Sequence, residues 1–192
     1  MVYSYAMQKY VLSHLPMALG YGILVFIIKG LFPIQDLSDY LNWVGWIVGV
    51  VVGVMVLFID RVVYTYSYPG TQIAQQFFWY WNQKRYLTAL SLLYDRRLEA
   101  ERLTFRSSLF MVVWVPLAFF ATTSTPQLFG KGVVLGVMLH ILYDSWRLQK
   151  TDPRRLHLRL FWLIKREVAE NERLIFLWTI TGIFAVLSLW VG

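Results

Sequence analysis

Apolar residues fall in five long blocks, at 11–32, 40–66, 105–123, 128–146 and 173–191. Each is close to the roughly 20 predominantly apolar residues a helix needs to cross a hydrocarbon core. The segments between them follow a different pattern. Pro69-Gly70 marks a turn. After it Ile73, Phe77, Phe78 and Trp81 recur at helical spacing, and Leu87, Leu90, Leu93, Tyr94 and Leu98 do the same. This predicts a helical hairpin over 70–104 that lies on or just under a membrane. Asp152-Pro153 supplies an N-cap followed by a proline at the first helical position. Leu156, Leu160, Leu163, Ile164 and Val168 then form one apolar stripe, with Arg155, Arg159, Arg166 and Glu170 on the other face. That predicts an amphipathic interfacial helix over 153–171. The expected fold is all-α: a polytopic membrane helical bundle of about five transmembrane helices plus cytoplasmic interfacial helices, in one domain over 1–192.

Composition agrees with lipid as the solvent. The chain is 58% hydrophobic and only 15% charged, against about 25% charged for a soluble domain. Nine Trp and twelve Tyr suit a protein with two membrane–water interfaces. Met1–Tyr10 lacks the charged start and small-residue cleavage site of a signal peptide. There is no cysteine, which excludes disulfides, thiolate catalysis and Cys-ligated metals. The net charge of +7 is distributed by topology, and this weighs against nucleic acid as a partner. Lys84, Arg85, Arg96, Arg97 and Arg102 follow the second block, and Arg147, Lys150, Arg154, Arg155, Arg159, Lys165, Arg166 and Arg173 follow the fourth. The alternate loops hold Pro33, Asp36 and Asp39, and the Thr-Thr-Ser-Thr-Pro turn around Ser124 and Pro126; only Lys29 and Lys131 lie on that side. The positive-inside rule therefore predicts N-in and C-out.

Small residues recur four apart in three blocks: Ala18 and Gly22; Gly45, Gly49 and Gly53; Gly132 and Gly136. Residues at this spacing share a helix face and let backbones approach closely. Each face leads to an ionisable group. Stepping by fours, Gly132 and Gly136 reach His140 and Asp144, Gly22 and Ala18 lead back to His14, and Asp60 lies two turns after Gly53. All four groups fall near the cytoplasmic end of their blocks. Two His and two Asp form a donor set for Zn, Mn or Fe, and such an ion would activate water for hydrolysis. The same residues equally suit a polar network that fixes helix packing, with Asp60 paired to Arg61 and Asp144 to Arg147. The sequence leaves both readings open. Arg155, Arg159 and Arg166 are candidates for anionic lipid head groups.

No GxSxG, Walker A or dinucleotide-binding glycine pattern is present. The His140-x-x-x-Asp144 pair, with Asp60 ending an earlier block, resembles the LexA-binding type of inner-membrane metal-dependent hydrolase. That family carries Asp-x-Asp-His and His-Arg-x-x-Thr-His runs, whereas here Asp60 is followed by Arg61-Val62. Trp162 through Phe184 resembles uncharacterised small multi-span membrane proteins of bacteria, which implies a bacterial cytoplasmic (inner) membrane and no particular activity. Three functions follow as expectations. The first is a structural, assembly or interaction component, with membrane lipids and a protein held by the cytoplasmic helices as partners. The second is a metal-dependent hydrolase acting at the cytoplasmic interface. The third is a small transporter or a channel formed by a homo-oligomer.

Overall fold

A computed structural model describes residues 2–30, 36–96, 99, 102–124 and 127–191. Pro33, Arg97, Leu98 and Pro126 lie outside the described residues. Every regular element described is an α-helix: α1 (Val2–Gly30), α2 (Leu37–Val56), α3 (Ile59–Ser67), α4 (Gln72–Asn82), α5 (Tyr86–Asp95), α6 (Ser108–Ser124), α7 (Leu128–Thr151), α8 (Pro153–Phe161) and α9 (Glu170–Leu189). Among the described residues, three stretches are long and apolar enough to cross a membrane: Leu37–Ser67, Leu128–Thr151 and Glu170–Leu189. His14–Lys29 and Ser108–Ser124 are shorter apolar helices. Among the described residues, three of the five apolar blocks therefore hold a helix of spanning length and composition.

The centre of the fold is α2 against α7. At Gly49, Gly53, Gly132 and Gly136 an added Cβ would run into backbone of the opposite helix, at Phe129 O, Val133 O, Trp46 O and Val50 O respectively. The two backbones touch through these four positions, which no side chain permits. Gly45 and Gly22 lie on the same kind of face with ordinary clearance, 3.7 Å to Phe129 Cβ and 3.5 Å to Ile47 Cγ1. Ala18 is fully buried. Tryptophan and tyrosine tie the remaining helices to this pair. Trp46 Nε1 donates to Gly22 O of α1 (3.1 Å), Trp114 Nε1 of α6 to Val134 O of α7 (3.2 Å), and Trp146 Nε1 of α7 to Thr181 Oγ1 of α9 (3.0 Å). Tyr21 OH meets Ser188 Oγ, joining α1 to α9 at 2.7 Å.

The chain leaves the α2 helix at Leu57 and Phe58 and re-enters it at Ile59. Phe58 N–H donates to Met55 O, three residues back, at 2.9 Å. Val54 O, one residue earlier, accepts Nδ1–H of His140 at 2.7 Å. A side chain inserted at a helix carbonyl is a known cause of such a break.

The helical hairpin is α4 and α5. Thr71 Oγ1 caps α4 by accepting from Ala74 N. Ile73, Phe77, Ala89 and Leu93 form its core, packed on Phe58 and Val62. The turn closes α4 with a Schellman motif: Arg85 N donates to Tyr80 O and Lys84 N to Trp81 O, both at 3.0 Å. Lys84 occupies the left-handed position, φ 60, where glycine carries no Cβ penalty. Lys84→Gly is expected to raise stability by about 1 kcal/mol. Denaturant unfolding in detergent checks this, and a lowered midpoint would contradict it.

The amphipathic helix predicted over 153–171 is shorter in the structure. Asp152 accepts from Arg155 N at 3.0 Å and starts α8, which stops at Phe161. Tertiary contacts end it. Ser108 Oγ donates to Leu160 O at 2.8 Å, satisfying a carbonyl of the last turn, and Trp162 Nε1 donates to Leu103 O. Leu163 and Ile164 are exposed. α9 begins afresh, with Glu172 Oε2 accepting from Ala169 N at 3.1 Å.

Candidate functional site

Three elements deliver charged or titratable groups to one largely buried locus. On α7, His140 and Asp144 lie one turn apart below Gly136, so the face that packs on α2 continues directly into them. His140 is fully buried. Its Nδ1 must carry the proton, because the Val54 carbonyl it meets can only accept. Its Nε2 lies 3.5 Å from Asp144 Oδ2. α1 contributes His14, whose ring sits 4.6 Å from that of His140 and whose Nε2 is 3.9 Å from Asp144 Oδ1. The turn before α6 contributes Arg106, whose Nη1 donates to Asp144 Oδ2 at 2.7 Å. That is the shortest ion pair at the locus, and Arg106 is only 5% exposed.

Asp60, expected in the same donor set, falls outside that set but stays within electrostatic reach of Arg106. The three residues whose ligand atoms all fall within 4.8 Å of one another are His14, His140 and Asp144. Asp60 is fully buried at the start of α3, where its Oδ1 accepts the backbone N–H of Phe105 at 3.1 Å. It thereby anchors the turn that presents Arg106. At Asp144 the partner is Arg106 rather than the neighbouring Arg147, while Asp60 has both Arg61 and Arg106 within electrostatic reach. The Arg61 guanidinium lies over the rings of Phe58 and Tyr94, 5.7 and 5.9 Å from their centroids.

The candidate lipid-binding arginines separate in the same way. Arg155 is half-buried and Arg166 is exposed, with its Nη2 on Glu172 Oε1 at 2.9 Å. Arg159 is corrected from the polar face to the interior, at 6% exposure. It lies three residues after the buried Leu156, one turn on, so it shares that side of the helix. Burial pushes its guanidinium down to about 10, Arg106 adds to this by repulsion, and the Asp144 carboxylate opposes it.

The chemistry this arrangement permits is narrow. Two imidazoles and a carboxylate at these spacings fit a shared divalent ion, and His140 presents Nε2 while Nδ1 is held by a carbonyl, as metal-bound histidines do. The charge balance opposes an ion. Asp144 already carries the guanidinium of Arg106, and Arg159 adds a second positive group nearby. A cavity bounded by Arg106, Asp144, Ser145, Leu156 and Arg159 has room for about one water molecule.

Arg106 is the functional residue that motif reading passed over. A usable signal was present. Arg106 is the one charged residue in the block 105–123, and Asp60 and Asp144 are the only acids inside the other four blocks. A cation in an apolar block needs a counter-charge, and those two are the available ones.

No family model matches the chain, and no curated protein or solved structure matches it either.

Proposed function

We propose that this chain is a multi-pass integral membrane protein whose five apolar segments cross the bilayer, N-terminus in and C-terminus out, and that it serves as a structural or assembly component of a bacterial cytoplasmic membrane. The observation that carries the reading is the Arg106–Asp144 pair. It neutralises the carboxylate that a catalytic metal would need, and turns the polar locus into a lock between α1, α6 and α7. The outward faces support the membrane setting: Leu24 and Ile28 on α1, Val113 and Phe120 on α6, and Ile175 and Trp178 on α9 are all more than half exposed. Water would not tolerate so much exposed apolar surface. Orientation follows from the Lys and Arg distribution.

Orientation is open to a direct test because the chain has no cysteine. With one cysteine introduced in an exposed loop, a membrane-impermeant thiol reagent on intact spheroplasts is expected to label Gln127→Cys and to reach Gln83→Cys only after lysis. The reverse pattern would invert the topology.

The second reading, a metal-dependent hydrolase at the cytoplasmic interface, draws on the spacing of His14, His140 and Asp144. The two readings separate on metal content. Protein purified in mild detergent without chelator is expected to hold well under one equivalent of Zn, Mn or Fe by plasma mass spectrometry, even after those ions are added. About one equivalent, lost in a folded His140→Ala/Asp144→Ala variant, would instead establish the metal centre.

A further inference from the structure

We infer that the free end of the α4–α5 hairpin is an anchor for anionic lipid, seated in the head-group layer of the leaflet that faces it. The inference rests on the membrane reading above, and three observations carry it.

The first is where the hairpin is mounted. Tyr94 packs against Met55 and Phe58, and the Ile73–Phe77–Leu93 core packs against Phe58 and Val62. Phe58 comes about 31 Å along the helix axis from Leu37, which matches the thickness of a hydrocarbon core. The base of the hairpin is therefore fixed at the depth where the α2 span ends. The ten residues of α5 keep the tip within roughly 15 Å of that depth.

The second is what the tip displays. Trp79, Tyr86 and Leu87 are 54%, 47% and 67% exposed, and Trp81, also exposed, stacks edge-on with Tyr86 at 4.8 Å. Aromatic rings of this kind settle where apolar and wet layers meet. They flank the Schellman turn, whose Lys84 and Arg85 are exposed.

The third is charge. No Asp or Glu occurs anywhere in 61–94. The tip thus combines apolar anchors with two cations that no described acid pairs, the chemistry that binds an anionic bilayer surface. A protein partner would not need this pairing of rings and cations. A second copy would bring the same positive charge against it.

The test uses the full chain in nanodiscs, with a spin label at Leu87→Cys and a control label at Val186→Cys on the exposed face of α9. Power saturation compares access by oxygen, which partitions into lipid, with access by a water-soluble nickel chelate. In discs of phosphatidylglycerol and phosphatidylcholine the Leu87 label is expected to be several-fold more accessible to oxygen than to nickel. Lys84→Gln/Arg85→Gln, or discs of phosphatidylcholine alone, is expected to move that ratio at least threefold toward the aqueous value. An aqueous ratio at Leu87 in the anionic discs overturns the inference while the α9 label still reports lipid. So does low access to both reagents, which would mean that protein covers the tip, and dipolar coupling between labels would identify that protein as a second copy. Failure of the α9 label to report lipid would overturn the membrane reading itself.

Discussion

Arg106→Met is expected to destabilise the protein by up to about 3–5 kcal/mol, because it leaves Asp144, whose side chain is only 18% exposed, without its cation. The pair is short, 2.7 Å, and the guanidinium side chain is 6% exposed. Asp60, also near Arg106, would lose a compensating charge as well. Removing both partners behaves differently. Arg106→Met/Asp144→Asn takes away the orphaned charge together with the ion pair, so its cost is expected to fall well below the sum of the single changes. A double-mutant cycle on unfolding in mixed micelles reads this coupling. Additivity within about 0.5 kcal/mol would show that the two residues act independently and would remove the lock.

Gly53→Ala and Gly136→Ala are each expected to cost about 1–3 kcal/mol, and more if the helices cannot separate locally. The obstruction in both cases is main chain, at Val133 O and Val50 O, and backbone cannot rotate aside as a side chain does. Gly45→Ala is the matched control. Its new methyl would meet only Phe129 Cβ at 3.7 Å, and alanine favours the helix, so stability is expected to stay level or rise by up to about 1 kcal/mol. The same unfolding assay orders the three variants. Equal effects at Gly45 and Gly53 would show that helix propensity, not close approach, governs this face.

Much of the architecture could be read from local pattern. The four-residue spacing of Gly49, Gly53, Gly132 and Gly136 marks the faces that meet, because only glycine repeated on one face creates such a groove. Asp152-Pro153 marks the start of α8 for an equally local reason. The meeting of His14, His140 and Asp144 follows from continuing those faces by one or two turns.

What could not be read depends on partners distant in sequence. Nothing in Val56-Leu57-Phe58-Ile59 signals a break, since it contains neither glycine nor proline. The break coincides with a histidine that lies 86 residues later in the chain. Residues 162–169 keep a helical pattern, yet Ser108 and Leu103 hold the end of α8 and the following tryptophan. Arg159 faces inward because α8 is rotated to bury Leu156 and Leu160, and a charge count cannot reveal that rotation. Arg106 sits at the edge of an apolar block, where periodicity treats a lone arginine as part of a loop.

The backbone contact between α2 and α7 also bears on synthesis. On the proposed membrane topology, Gly49 and Gly53 enter the bilayer long before Gly132 and Gly136 leave the ribosome. At 5–20 residues per second the interval is roughly 4–16 s. For that time the groove on α2 faces lipid or whatever helix is nearest, and such grooves pair readily with copies of themselves. Assembly of this protein is therefore a race between the arrival of its own seventh helix and capture by a neighbouring nascent chain. Slower translation of the α4–α5 hairpin would favour the wrong winner.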